Sequence, residues 1–494
     1  MRRALTFLAW SASLCAQPAF VPPALNQAWP DFVGFTLNSP SHRWYRHMME
    51  DLMPFWNNPE ALGSPVGNFP TLRCDDRSSV DFATVTCPEV RQNAWLFNER
   101  QRYLVAQSRQ IYAYGVIFHM TGNAGFLDYM KAGVDQFRTR FIDRSNGGMF
   151  TRQDLRNGAY GPRYEVRNAQ ELAYGMLGIG FYYYLTRDPE VLPDILWLKS
   201  WLWSNYWNDQ LGSFQWTIAN DGTTSAYQRQ LTATLDQMNA YMVLLAPIIP
   251  EPYAAEWKAD LMRLSRAMIR HFYNESENLM YLSANSPADL DPLRADTDFG
   301  HTIKALWMIR FSALMAGDSE LVKWAEDRGA RVLERAYQPA SGSWASGVRR
   351  GRVLDLDKSW WIYCELDQYA GTMSLNGLSA ANGYLAQTQD YWLRNFVDPQ
   401  FGEVWSNVNG VTHQPISGTP KQWPWKNGYH SLEHALVGFI TSRTSEGGSV
   451  PLYFGFAPAA PRRDDVQPYF FRGSLQSADQ VGPNVWQVVF RDVK

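Results

Sequence analysis

Four stretches of the sequence set titratable or cationic side chains among apolar neighbours, where burial would otherwise exclude them. Arg109 stands in Gln107-Ser108-Arg109-Gln110-Ile111-Tyr112. Its guanidinium must find a structural ion pair there, or a ligand hydroxyl or oxyanion, and Tyr112 on the same run is a candidate for substrate contact. His301, Lys304 and Trp307 recur every third residue, which on a helix turns a base, a cation and an aromatic surface toward one side. Trp361 and Glu365 lie one helical turn apart, a carboxylate beneath an aromatic ring, which suits a sugar and its hydroxyls. His430, Glu433 and His434 spell H-x-x-E-H, the letters of a zinc-binding pattern. Catalytic zinc wants a third protein ligand, and the one Glu beyond His434 is Glu446, in a Ser/Gly segment. Zinc is therefore not expected there, and no metal or cofactor is expected elsewhere in the chain. Against each functional reading stands a packing one: a buried ion pair, a satisfied core histidine, a Trp beside a paired Glu.

Such residues need a scaffold, and helical periodicity recurs along the chain in pairs. The spacing predicts helices over 41–55, 97–121, 124–143, 165–186, 190–206, 228–247, 252–273, 299–316, 319–337, 358–375, 379–395 and 427–443. Joints such as Thr121-Gly122-Asn123 and Ala316-Gly317-Asp318 end one helix at Gly and cap the next with Asn or Asp, so the members of a pair run antiparallel. One member of several pairs is apolar almost all round, as with Ile303, Leu306, Trp307, Ile309, Phe311 and Leu314. Its partner carries a charged face, as with Lys323, Glu326, Asp327, Arg331 and Arg335. Buried helices alternating with half-exposed ones imply an all-α fold, an (α/α)6 barrel of inner and outer rings, with a stacked solenoid as the alternative. Gly147 to Thr151, Gly212 to Thr217 and Gly342 to Gly347 read as short hairpins at one rim, the usual place for a site. From 446 to 494 the pattern turns strand-rich, over Val450 to Phe456, Val466 to Arg472 and Val485 to Val493, leaving 17–445 for the barrel.

Composition narrows the partners. A net charge of -3 supplies no basic field, so nucleic acid is not expected. The 21 Trp, 25 Tyr and 26 Phe fill a core, with a remainder suited to stacking on sugar rings. Arg2 and Arg3, an apolar run from Ala4 to Leu14 and Ala16 fit a secretory signal over 1–16, so the mature protein is expected to be secreted or periplasmic and free of the membrane. Cys15 follows Leu14, where a lipidation signal prefers a small residue, so an acylated anchor is not expected. Cys74 and Cys87 bracket a polar loop of the kind closed by a disulfide in oxidising compartments, and Cys364 reads as a buried helix residue. The oligomeric state is left open.

In order and spacing, Arg109 with Ile111 to Tyr114, Ala173-Tyr174, Gly300-His301 with Trp307, Trp360-Trp361 with Glu365, and Tyr429-His430 resemble the N-acylglucosamine 2-epimerase and cellobiose 2-epimerase family, over about 97 to 443. The resemblance implies a sugar 2-epimerase or aldose–ketose isomerase acting on a mono- or disaccharide. His301 and His430 would stand on opposite sides of the open-chain sugar and exchange its C2 proton through an enediol, and Arg109 would stabilise the oxyanion. Trp307 and Trp361 would stack on the substrate, and Glu365 would bind hydroxyls or polarise a histidine. Three positions depart from the family pattern. Lys304 replaces a Glu, a change expected to lower the pKa of His301; Glu433 replaces an Arg; and the helix around Asp236, Gln237 and Asn239 lacks a family His, leaving Asp236 as a substrate-binding candidate. Two other readings use the same barrel. One is a glycoside hydrolase or lyase with a carboxyl pair drawn from Glu365, Asp236 and Asp298, and the other is a non-catalytic glycan-binding protein.

Overall fold

A computed structural model describes residues 36–82, 84, 87–92, 101–154, 166–219, 226–457 and 460–494. The expected signal segment and Cys15 lie outside the described residues.

Among the described residues, twelve helices build the barrel. They are α1 (40–56), α2 (Leu104–Thr121), α3 (Ala124–Arg140), α4 (Ala169–Thr186), α5 (Leu192–Tyr206), α6 (231–245), α7 (Tyr253–Phe272), α8 (Phe299–Ala316), α9 (Ser319–Ala336), α10 (Trp360–Leu375), α11 (Ser379–Asn395) and α12 (Gly428–Ser445). The even-numbered helices α2, α4, α6, α8, α10 and α12 pack side by side in that order, and α12 returns to α2, closing an inner ring. Their residues are buried on every side, Leu104 to Met120 in α2 and Gly428 to Arg443 in α12. Outer helices keep one apolar stripe: α7 buries Trp257, Leu261, Leu264 and Met268, spaced by three and four, and turns its charges outward. This is the (α/α)6 barrel that the alternating pattern predicts.

The expected punctuation holds at two joints. Gly122 and Gly317 take left-handed φ of 70° and 73°, and the side chains of Asn123 and Asp318 accept from the backbone N–H of Gly125 and Leu321. The α4–α5 joint differs: Arg187 takes the left-handed position at φ 53° and donates from its guanidinium to the carbonyl of Tyr183 at 2.9 Å. Helices α1 and α6 each contain a π-helical stretch, His47–Leu52 and Met238–Met242, that periodicity did not indicate.

Short antiparallel ladders precede the inner helices at one rim, including Gln101–Tyr103 with Arg152–Asp154, Val166–Asn168 with Ser213–Ala219, and Lys358–Ser359 with Asn407–Val408. Cys74 and Cys87 form the expected disulfide, with Cα atoms 5.6 Å apart, and Cys364 is buried and unpaired. At the opposite end, Val450–Phe454, Ser474–Gly482 and Val485–Arg491 form a three-stranded antiparallel sheet with Val485–Arg491 in the middle. The expected strand over Val466 to Arg472 is absent. Pro468 has no N–H to give a ladder and Tyr469 sits at φ 57°, so this segment folds into turns. Tyr469, Phe470 and Phe471 join the same hydrophobic core as the barrel helices. Among the described residues, no helix is long and apolar enough to cross a membrane.

Candidate active site

The candidate residues come from the first turns of the inner helices, at the rim that carries the short ladders. Asp298 caps α8: its Oδ1 accepts from the backbone N–H of His301 at 2.6 Å, and its Oδ2 lies 2.7 Å from His301 Nδ1. A carboxylate there holds the proton on Nδ1 and leaves Nε2 as the reactive nitrogen. The ring of His301 meets Trp361 edge-on at 4.6 Å between centroids, and the same indole lies 6.2 Å from the ring of His430. Gly300 makes this approach possible, because a Cβ at that position would stand 2.6 Å from the Trp361 ring. Two imidazoles from positions 301 and 430 thus share one aromatic wall. A cavity of about 590 Å³ reaches this group at Asp298, with Ser346, Asp357, Ser359, Ile362 and Asn407 also in its lining; neither imidazole nor Trp361 lines it.

The two imidazoles are tuned in opposite directions. Burial pushes His301 down, but the charge and hydrogen bond of Asp298, with Asp236 behind it, outweigh burial, and its pKa is raised above the usual imidazole value. Burial also pushes His430 down, and the cationic neighbours Arg109, Lys304, His301 and Lys426 push the same way, so its pKa falls well below the usual value. At neutral pH His430 is a neutral base and His301 the better-charged acid. Paired titratable groups whose environments drive them apart are the mark of an acid–base pair.

The expected lowering of His301 by Lys304 is present, but Asp298 and Asp236 outweigh it and the net shift is upward. Lys304 is itself ion-paired, its Nζ 3.1 Å from Asp236 Oδ1, 3.0 Å from the Tyr174 hydroxyl and 3.7 Å from Glu365 Oε1. Burial works against its charge, yet Asp236, Tyr174 and Glu365 hold the pKa well above the ordinary lysine range. Two departures from the family pattern, at 304 and 236, are therefore the two halves of one buried ion pair. Glu365 also accepts from Trp307 Nε1 at 3.2 Å, and burial raises its pKa. Its Oε1 lies 3.8 Å from His430 Nδ1, and Glu433 Oε2 lies 3.7 Å from the same atom. No hydrogen-bond partner reaches that buried nitrogen among the described residues. Burial and the nearby Glu365 push Glu433 up to about 8.

Arg109 projects from the second turn of α2. Its guanidinium lies 4.0 Å from the Tyr174 ring centroid and 5.1 Å from that of Tyr429, and donates to the Trp425 carbonyl. Its Nε has no partner among the described residues. Asn239 donates to the Tyr429 hydroxyl at 3.1 Å, which orients that ring.

Two substrate-contact candidates have their side chains engaged within the protein. Tyr112 sits one layer lower, only 1% exposed, its hydroxyl 2.6 Å from that of Tyr469 and its ring edge-on to Tyr429. Trp307 commits its N–H to Glu365 and packs its ring against Phe470 at 4.9 Å, so we read it as a floor beneath Glu365. Gln237 is tied to the Ala169 carbonyl and takes no place in the site. The H-x-x-E-H letters do not converge either. His434 faces Asp367 at 2.9 Å and packs between Trp44 and Trp392, while Glu433 accepts from Tyr469. The carboxyls of the hydrolytic reading are likewise committed: Lys304 bridges Asp236 and Glu365, and Asp298 holds His301. Trp425 and Tyr469 were not singled out from the sequence, nor Asp298 as a partner of histidine. For Asp298 the signal was present, an Asp three residues before His301 at a helix start.

The sequence pattern that defines the N-acylglucosamine 2-epimerase (GlcNAc 2-epimerase) family matches residues 87–433. A cellobiose 2-epimerase from Ruminococcus albus is 20% identical over 351 residues, 66% of this chain and 85% of that protein. Among solved structures, cellobiose 2-epimerase from Spirochaeta thermophila superposes with a TM-score of 0.68 at 17% identity, covering 82% of this chain and 97% of its own. A D-mannose isomerase superposes with a TM-score of 0.65 at 15% identity, covering 84% of this chain and all of its own. These structural likenesses carry the barrel fold.

Proposed function

The chain belongs to the N-acylglucosamine 2-epimerase family, and from that premise we propose that it is a carbohydrate isomerase that inverts or relocates the hydrogen at C2 of a mono- or disaccharide. The observation that carries this reading is the pair of imidazoles against one indole, one pushed toward its charged form and the other toward its neutral form. Relatives named cellobiose 2-epimerase and D-mannose isomerase share the scaffold, and their named reactions both begin by removing a proton beside a carbonyl.

The open-chain aldose lies along Trp361, between the two imidazoles. Neutral His430 takes the C2 proton, the electron pair forms the C1–C2 double bond, and the carbonyl oxygen becomes an oxyanion facing Arg109. Charged His301 returns a proton from the other side of the carbon. Delivery to C2 yields the epimer. Delivery to C1, with the O2 proton passing to O1, yields the ketose. Either way His430 ends protonated and His301 neutral, and exchange with water or the reverse turnover restores the pair. Lys304, held by Asp236, places a fixed positive charge near His430 that favours the neutral base.

Incubating the protein with cellobiose, mannose and glucose in D2O tests this directly. Deuterium at C2 of recovered sugar, found by proton NMR, is the expected result. A folded sample that exchanges none of a broad sugar panel would sink the proposal. The Arg2-Arg3 leader pattern and the Cys74–Cys87 disulfide support export to an oxidising compartment, which periplasmic fractionation of the expressing cell would check.

A further inference from the structure

Glu433 departs from the family pattern as Lys304 does, and with the opposite sign of charge. The structure shows what accompanies it. The segment 465–471, beyond the residues that match the family, enters the barrel from the end opposite the site. Its anchors are the ends of the inner helices: Tyr184 donates to the Gln467 carbonyl at 2.6 Å and accepts from the Tyr469 N–H at 2.9 Å, Gln467 donates to the Leu244 carbonyl at 3.3 Å, and Arg187 donates to the Asp465 carbonyl. The left-handed φ of 57° at Tyr469, which a non-glycine residue adopts at a cost of about 1 kcal/mol, aims two consecutive side chains upward. The Tyr469 hydroxyl donates to Glu433 Oε1, leaving Oε2 as the oxygen 3.7 Å from His430 Nδ1. The Phe470 ring supports Trp307, whose N–H holds Glu365, the other carboxyl beside that nitrogen. Both carboxyls flanking His430 therefore rest on adjacent residues of the C-terminal segment.

We propose that Tyr469 is a positioning residue for the reaction: by holding Glu433 through Oε1 it fixes that carboxyl with Oε2 3.7 Å from His430 Nδ1, so that the charge Glu433 carries there sets how readily His430 takes up the sugar's proton. The inference rests on reading His430 as the base. The groups facing Glu433 are His430 and Tyr429 on its own helix, Glu365 and Cys364 on α10, Lys304 on α8, Arg109 and Tyr112 on α2, and Tyr469. Of these, Tyr469 donates a hydrogen bond to it, and a donor to the charged form favours ionisation.

The test is Tyr469→Phe, which keeps ring and packing. Expected is a fall in kcat of about tenfold, the worth of one hydrogen bond, with KM essentially unchanged. In parallel, the infrared band of a protonated carboxyl that is missing in Glu433→Gln should titrate about half a pH unit or more higher than in the unaltered protein. Tyr112→Phe removes the outer hydroxyl of the same chain and should shift that band in the same direction by less, which serves if Tyr469→Phe folds poorly. An unmoved band together with unchanged kcat in Tyr469→Phe overturns the proposal. If the unaltered protein turns over no sugar, the isomerase reading fails, and the band alone decides whether Tyr469 governs Glu433.

Discussion

Replacing Asp298 by Asn changes one charge and little else. Asn caps helices as well as Asp does, so the start of α8 should hold and thermal stability should move by no more than about 1 kcal/mol. What disappears is the carboxylate 2.7 Å from His301 Nδ1, the contact that lifts the imidazole against its burial. An opposite charge at this distance is worth about 1–3 pKa units, so the pKa of His301 should fall and its charged fraction at neutral pH with it, by up to about 10- to 100-fold for one to two of those units. A loss of one to two units corresponds to about 1.4–2.7 kcal/mol of acid function. The assay is the pH dependence of C2 exchange. In the unaltered protein the alkaline limb reflects deprotonation of His301, above the usual imidazole value. The acid limb reflects protonation of His430, well below it, so activity should persist into mildly acidic buffer. In Asp298→Asn the alkaline limb should move acidward by about one to two units while the acid limb stays. Unchanged limbs and a rate within about twofold would refute the assignment of His301 as the acid. Stability follows with definite sign. His301 contributes below the unfolded-state value near 6.5, a contribution lost as pH rises through its raised folded value. His430 contributes above about 6.5, lost as pH falls toward its depressed folded value.

Other perturbations probe separate parts of the site. Lys304→Met leaves Asp236 and Glu365 as uncompensated buried carboxyls and should cost about 3–5 kcal/mol in urea unfolding; the double change Lys304→Met with Asp236→Asn should regain a large part, and a single variant as mild as a surface substitution would contradict the buried pair. Trp361→Ala should raise KM about 2- to 12-fold, the equivalent of about 0.5–1.5 kcal/mol of ring contact, whereas Trp307→Phe should act mainly on kcat through Glu365; the reverse pattern in steady-state kinetics would exchange wall and floor. Reducing the Cys74–Cys87 bond, which closes a separation of 13 residues, should lower unfolding stability by about 3 kcal/mol with C2 exchange at 25 °C retained, and a loss of exchange without unfolding would tie that loop to catalysis.

The barrel was legible because burial leaves a mark at every turn. Helix α8 is apolar all round and α9 is striped, and the boundaries 299–316 and 379–395 agree with the residues read from periodicity and caps. The π-helical stretches in α1 and α6 were not legible, since one extra residue per turn leaves a buried helix as apolar as before. In the site, residues that announce themselves by being polar in apolar runs, Arg109, His301, Lys304, Glu365 and His430, do gather around Trp361 and Lys304. Direction was harder to read than proximity. Tyr112 and Trp307 share those runs but point a layer lower, which a single helical spacing does not resolve. Lys304 and Asp236 looked like two separate departures because a separation of 68 positions in sequence hides a 3.1 Å contact. Tyr469 was invisible for a stronger reason: its segment alternates like a strand, and only Pro468 hints that it turns instead.

The most direct measurement is a crystal structure with a bound sugar alcohol of the substrate's length, which cannot react and so shows where C2 rests. His301 Nε2 and His430 Nε2 should lie on opposite faces of that carbon, each within about 3–3.5 Å of it, with the C1 oxygen toward Arg109. An alcohol bound along Trp361 with both imidazoles on one face, or with either turned away from C2, would contradict the two-histidine exchange.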